Sequence, residues 1–263
     1  IARDLQRLAT SGFNLLFVSA VSEGRALYPS QVAEGNSVYA GFDPLQACIE
    51  EGRLLGMSVH AWVEAFDVGR AAEDGSLPRL LQVHPGWSAM RRDDRRPTAA
   101  PNGRYFLSPA HPEVQKFVMD TLHELVAGYD LDGIHLGSVC YPAAEAAPYD
   151  FNPTVLELAQ AELGFAPRSI GLNIARWNAW LDWRCSNLTT FAGKLMSMIR
   201  ETSPGTLISA SVYPYPDSVL VRMQDWSKWA AARWLDFVVP LTNTRDADLV
   251  DTLVRAAQGF AGA

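Results

Sequence analysis

LDGIHLGSVCYP, residues 131–142, reads as one buried β-strand, Gly133 to Val139, running into a loop marked by Pro142. Side chains alternate along a strand, so Gly133, His135 and Gly137 share one face and Ile134 and Leu136 the other. A histidine on such a strand points to a face that meets a polar cavity. Immediately upstream, HPEVQKFVMDTLHELVAGY reads as a strong helix, with Pro112 near its start and Gly128 near its end. A helix feeding a short apolar strand is the building unit of a parallel sheet with helices outside it.

The same alternation extends in both directions. Ile1 to Thr10 is helical, with Ile1, Leu5 and Leu8 at helical spacing, and Asn14 to Val21 is a strand. Asp43 caps a helix that has Pro44 at its first position and runs to about Gly56. Met57 to Phe66 is the next strand, followed by a long segment rich in Pro, Gly and charge that reaches about Ser108. Beyond the central strand come a short helix near Val155 to Leu163 and a long helix from Trp177 to about Glu201. A strand at LISASVYP, a helix from about Val221 to Trp234, a strand at DFVVPL and a last helix from Ala247 to about Phe260 complete the order. About five strands are read, whereas a closed barrel needs eight. The expectation is an α/β fold, a (β/α)8 TIM-type barrel in a single domain over 1–263. It is cut short, with the first strand and the last two outside the chain. The alternative is a self-contained doubly wound sheet. That fold wants a glycine-rich phosphate loop after its first strand, and SAVSEGRALYPS lacks the G-x-G-x-x-G spacing.

Composition narrows the function. The chain has 263 residues, 48% hydrophobic and 19% charged, with a formal net charge of -7 and a pI near 5.2. That balance argues against a nucleic-acid partner, which calls for a basic face. The basic cluster Arg91, Arg92, Arg95 and Arg96 is interleaved with Asp93 and Asp94 and reads as a solvated loop tip. Cys48, Cys140 and Cys185 have no C-x-x-C spacing, and one bridge remains open if the protein is exported. No run of about eighteen apolar residues marks a membrane span. No G-x-S-x-G elbow and no H-E-x-x-H zinc motif occurs, so neither a metal nor another cofactor is expected.

Several blocks, in order, resemble the glycosyl hydrolase-like 10 family. They are GFNLLFVSAVSEGRALYPS, HAWVEAF, HPGW, YFLSPAHPEV, LDGIHLGSVCYP, the Trp183-Arg184 pair, ISASVYP, QDWSKW and LDFVVPL. The resemblance implies a barrel glycosidase-like fold, a polysaccharide or oligosaccharide partner, and an extracytoplasmic or secreted bacterial protein acting on cell-envelope or other complex glycans. The departures cluster near strand ends, where barrel active sites sit. Ser19 stands for the family's Gln, Val21 for Arg, Glu64 for Asn, Gly137 for Asp and Cys140 for Arg. Pro240, Leu241, Thr242 and Asn243 replace P-M-x-Y. The structural blocks are kept while the polar mouth is rewritten, which implies either a changed chemistry or binding without catalysis.

Glycoside hydrolysis uses two carboxyl groups, and Gly137 removes one family candidate. Glu64 is the catalytic candidate. It shares strand parity with His60 and Trp62, so all three face the barrel axis together. Beside His and Trp, its pKa is expected to rise toward that of a general acid. The partner carboxylate is left open, its source being either the strands expected outside the chain or the loops carrying Asp67, Asp150 or Asp217. Glu23 reads mainly as surface, Asp132 as lying at the opposite, stabilising end of the barrel, and Asp225 as orienting its helix. His60 and His135 are candidate sugar contacts, with a satisfied core histidine as the equal reading for His135. Sugar rings stack on aromatic planes, so Trp62, Tyr141 and Tyr213 at strand ends are candidate platforms. Trp87 belongs to a candidate lid, and Asn243 to the mouth.

Overall fold

Asp43 accepts a hydrogen bond from the Gln46 N–H at 2.9 Å and Pro44 takes the first helical position, so a helix starts where the sequence indicates. The structure, a computed structural model, describes residues 1–143, 149–214 and 218–261. Asp217 lies outside them. The elements in chain order are α1 (Ala2–Thr10), β1 (Leu15–Ser22), β2 (Arg25–Ala26), α2 (Pro44–Leu54), β3 (Ser58–Glu64), β4 (Asp67–Arg70), α3 (Arg79–Val83) and β5 (Arg104–Phe106). They continue with α4 (Pro112–Gly128), β6 (Gly133–Gly137), α5 (Pro153–Leu163), α6 (Ile174–Thr202), β7 (Leu207–Val212), α7 (Ser218–Arg222), α8 (Trp226–Ala231), β8 (Phe237–Pro240) and α9 (Ala247–Ala261). Among the described residues no helix is long and apolar enough to cross a membrane.

The main sheet has the order β2-β1-β3-β6-β7-β8. Apart from the two-residue β2, which turns back antiparallel on β1, all neighbours are parallel. The parallel strands therefore follow the chain without a reversal. A doubly wound sheet has such a reversal at its switch point, so that alternative is excluded. One face of the sheet, from Val59, Ala61 and Val63 through Ile134 and Leu136 to Ile208 and Ala210, shares a single apolar core with the helices. Leu45 and Ile49 of α2, Leu122 and Leu125 of α4 and Leu188 and Leu195 of α6 complete that core.

The opposite face carries Phe17, His60, Trp62, His135 and Phe237. Their rings touch across the sheet, with centroids 4.4 Å apart for Phe17–His135 and 5.9 Å for His60–Phe237. His60 and Phe237 stand on strands three places apart. At roughly 4.8 Å per strand, a flat sheet would separate those backbones by ~14 Å. The sheet therefore curls toward this face, as a barrel wall does.

Three local readings change. The strand at residue 133 ends at Gly137 rather than Val139, because Ser138 turns into the left-handed region at φ 53. The expected helix from Val221 to Trp234 is two short ones, α7 and α8. Met223 at φ 56 breaks it, and the fully buried Gln224 amide is spent on Tyr213 N–H and on the Val139 and Ser211 carbonyls. The basic cluster is only partly a solvated tip. Arg95 and Arg96 are exposed, but Arg92 and Arg168 each donate to the other's carbonyl. Asp132 behaves as read, accepting the Val59 N–H at 2.7 Å near the start of β3.

Candidate active site

Glu64 is the last residue of β3 and Ser22 the last of β1, so parallel pairing brings both to one end of the sheet. The Ser22 hydroxyl donates to Glu64 Oε2 at 3.2 Å. The chain then turns at Glu23, φ 54, and the Glu23 N–H also donates to the Glu64 carboxylate. β4 and β5 form a small antiparallel pair over this end. From β4, Asp67 Oδ1 accepts the Gly69 N–H at 2.9 Å, and its Oδ2 accepts from Arg104 Nε at 2.5 Å. Arg104, on β5, brings Nη2 to 3.8 Å from both Glu64 Oε2 and Glu23 Oε1. Three carboxylates thus share one guanidinium.

Their exposures separate their roles. The Asp67 side chain is 8% exposed, Glu64 23% and Glu23 58%. Burial, and then the charge of Asp67, hold the Glu64 carboxyl above the usual carboxylate range. Arg104, the Glu23 N–H and Ser22 pull it part of the way back. The Arg104 guanidinium is in turn held more firmly protonated, chiefly by its hydrogen bond to Asp67. A carboxyl raised in this way is suited to giving a proton.

Trp62 lies on the same face two residues below Glu64. It is 36% exposed, with its ring edge-on to His135 at 5.3 Å. Its indole crosses the bare Cα of Gly137, where an added Cβ would stand 2.3 Å from Nε1. The position that loses the family carboxylate is thus the position the Trp62 ring covers.

The remaining candidates scatter. His60 is buried, its Nδ1 has no hydrogen-bond partner, and a Cβ on Gly133 would stand 2.3 Å from its ring. His135 is buried with Nδ1 2.9 Å from the Ser209 hydroxyl and Nε2 2.8 Å from that of Ser211, and burial pushes its pKa down to about 4. Both side chains are buried, as the core reading of His135 expects. Tyr141, read as a platform, is buried and donates its hydroxyl to Asp150 at 2.5 Å. Asp150 is itself fully buried and takes a second bond from Ser108, so it is no partner for Glu64. Tyr213 has the Arg222 guanidinium over its ring at 3.8 Å, so that face is occupied. Arg222 also lies against the Cys140 thiol, bringing a guanidinium from α7 to the place where the family pattern has Arg. Trp87 stacks on His84 at 4.0 Å and donates to Glu113 Oε2 at 2.8 Å. Asn243 is exposed after β8, at φ 40. Asp225 ion-pairs with Lys228 at 2.6 Å in the first turn of α8.

Sequence reading did not single out Arg104, and Glu23 is exposed as read, although it faces the same guanidinium as Glu64. Arg104 sits in the long irregular segment and offered only one signal, its place directly before the YFLSPAHPEV block. Among the described residues no three His, Cys, Asp or Glu side chains gather as a metal site.

Comparisons with known proteins place the chain by sequence and by fold. Over 217 residues the chain is 27% identical to the glycosyl hydrolase DigH of Escherichia coli K12, covering 79% of this chain and 45% of that protein. It is 27% identical over 146 residues to the glycosyl hydrolase YngK of Bacillus subtilis, covering 53% of this chain and 27% of that one. The chain thus spans less than half the length of these relatives. In fold it is similar to the glycoside hydrolase domain of PgaB (BpsB) from Bordetella bronchiseptica, with a TM-score of 0.74 at 14% identity over 99% of this chain and 74% of that one. It is also similar to α-L-fucosidase isoenzyme 2 of Paenibacillus thiaminolyticus, with a TM-score of 0.59 at 20% identity over 80% of this chain and 28% of that one. These neighbours are glycoside hydrolases of TIM-barrel type. The family model for glycosyl hydrolase-like 10 matches residues 2–250, and the chain belongs to that family.

Proposed function

We propose that this chain cleaves O-glycosidic bonds of a bacterial cell-envelope or environmental polysaccharide, outside the cytoplasm, with Glu64 as the general acid. The observation that carries the reading is the Glu64 carboxyl, raised by burial and Asp67 at the open end of the parallel strands. Its partner in this reading is Glu23. Asp67 is tied to Arg104 and Gly69, and Asp150 is sealed in the core, whereas Glu23 is open to solvent. Glu23 and Glu64 each lie 3.8 Å from the same Arg104 nitrogen, so their oxygens are separated by no more than twice that distance. That bound accommodates the roughly 5–5.5 Å of a retaining pair and the shorter part of the roughly 6.5–9.5 Å of an inverting one.

In the reaction the Glu64 proton passes to the glycosidic oxygen as the bond from that oxygen to the anomeric carbon breaks. Glu23 either takes a proton from the water that attacks the anomeric carbon, or bonds that carbon itself in a glycosyl-enzyme, whose bond to Glu23 is then broken by a water that gives its proton to Glu64. Trp62 offers its partly open ring to a sugar face. The kinship with bacterial glycosyl hydrolases supports glycoside hydrolysis as the reaction class.

The test is Glu64→Gln in the intact protein against a glycan panel, with products followed by chromatography. The expected result is a loss of turnover of about 10²-fold or more, and unchanged turnover removes Glu64 from the mechanism. Gly137 favours a second reading, a relative that binds glycan without cleaving it. That reading predicts saccharide binding that Trp62→Ala weakens, with no product from the wild type.

A further inference from the structure

Next to the carboxylate cluster opens a cavity of about 670 Å³, within the range of ligand sites. Ser22 and Glu23 form its wall toward Glu64, and Arg25, Arg70 and Arg79 line the rest. The chain as a whole carries a net charge of -7, yet among the described residues this cavity gathers three guanidinium groups against one lining carboxylate, Glu23. One of the three is ion-paired. Arg79 pairs with Glu34 at 3.1 Å, whereas Arg25 and Arg70 make no ion pair among the described residues. Glu23 is the carboxylate that Arg104 approaches from the other side.

Arg70 is exposed and lies against the turn at Gly103. Its guanidinium crosses Gly103, where an added Cβ would stand 2.4 Å from Nη1, and Gly103 itself sits at φ +77. Glu73 and Asp74 belong to the same turn but do not line the cavity, and Asp74 is engaged by the Ser76 N–H at 2.8 Å. Tyr39 and Asn36 add a ring and an amide to the lining, groups suited to a sugar face and its hydroxyls. A guanidinium fork in a concavity selects a planar or tetrahedral oxyanion, which it binds with two parallel hydrogen bonds.

We propose that this cavity is a subsite for an anionic sugar residue, whose carboxylate or phosphate is taken by Arg25 and Arg70 while the adjoining linkage lies at Glu64. This rests on the glycan-cleaving reading above and adds the charge of the substrate to it.

Calorimetry on the intact protein tests it. The probes are uronic-acid oligosaccharides, each paired with its carboxyl-reduced neutral counterpart, and phosphorylated oligosaccharides of the same backbones. An acidic member is expected to bind about tenfold or more tightly than its neutral partner. The preference is expected to shrink with added salt and to fall to within about threefold in Arg25→Gln and in Arg70→Gln. Preference for the phosphorylated over the uronic member names phosphate as the anion, and the converse names carboxylate. Equal binding of acidic and neutral partners overturns the subsite while leaving the glycan reading intact. A preference that survives both substitutions overturns it as well, since the charge is then read elsewhere. Absence of binding by every saccharide, in protein that is folded by circular dichroism, removes both this inference and the reading beneath it. The two arginines stand on different elements, so misfolding of one variant leaves the other to decide.

Discussion

Glu64, Trp62 and His60 stand on one face of one strand, yet they have three different environments, and depth accounts for the difference. At roughly 3.3 Å per residue, His60 lies ~13 Å below Glu64 along β3, sealed between the rings of Phe17 and Phe237. Trp62 is midway, and Glu64 reaches the end, where Ser22, Asp67 and Arg104 meet it. The titration of Glu64 follows from these neighbours. Arg104 favours its charged form, so Arg104→Gln should move the Glu64 pKa up. Asp67 disfavours it, so Asp67→Asn should move the pKa down. Carbon-detected NMR of labelled glutamate, assigned by Glu64→Gln, reads both shifts, and the alkaline limb of any activity should move with them. Shifts of the opposite sign would show that the cluster does not set the proton affinity of Glu64. Strand parity made the face legible in the sequence. It could not separate an open position from a filled one, so His60 was read as a sugar contact and His135 was left open between sugar contact and core, and both are buried.

At the scale of elements, the parallel strands and the helices between them were legible because each follows from apolar spacing, proline placement and a cap such as Asp43. The pair β4–β5 was not, since its members are four and three residues long and carry no alternation. It nonetheless supplies Asp67 and Arg104, so half of the cluster came from the segment hardest to read. The break between α7 and α8 was hidden for a related reason. The buried Gln224 amide is drawn to strand ends that are distant in sequence. Two glycines of β6 test the packing of the strands. Gly133→Ala drives a Cβ into the His60 ring, which is buried and enclosed, and should cost about 1–3 kcal/mol by urea denaturation. Gly137→Ala meets the Trp62 indole at the open end, where the ring can swing outward. It should cost less, with a red shift of tryptophan emission. Equal costs would mean that the two ends of the face are equally closed.

On the scale of the whole molecule, the strand order without reversal and the ring contacts across the concave face make this a curled, singly wound wall, with its helices on one side and its chemistry at one rim. The α/β part of the expectation, parallel strands wound in chain order, is what the structure shows. The family blocks carried that much because they encode packing, while the rewritten rim positions left the chemistry to the three-dimensional arrangement. Glu23, the neighbouring Glu64 and Asp67, and Arg104 come from three separate stretches of chain and meet in the fold. The central claim is that Glu64 donates the proton that releases the leaving group. The measurement that tests it most directly compares kcat/KM of wild type and Glu64→Gln on two glycosides that differ only in leaving group. The account predicts a loss of about 10²-fold or more for the unactivated sugar leaving group, and a loss within about tenfold for dinitrophenolate, which departs without a proton. Equal losses on both, or no loss on either, would contradict it.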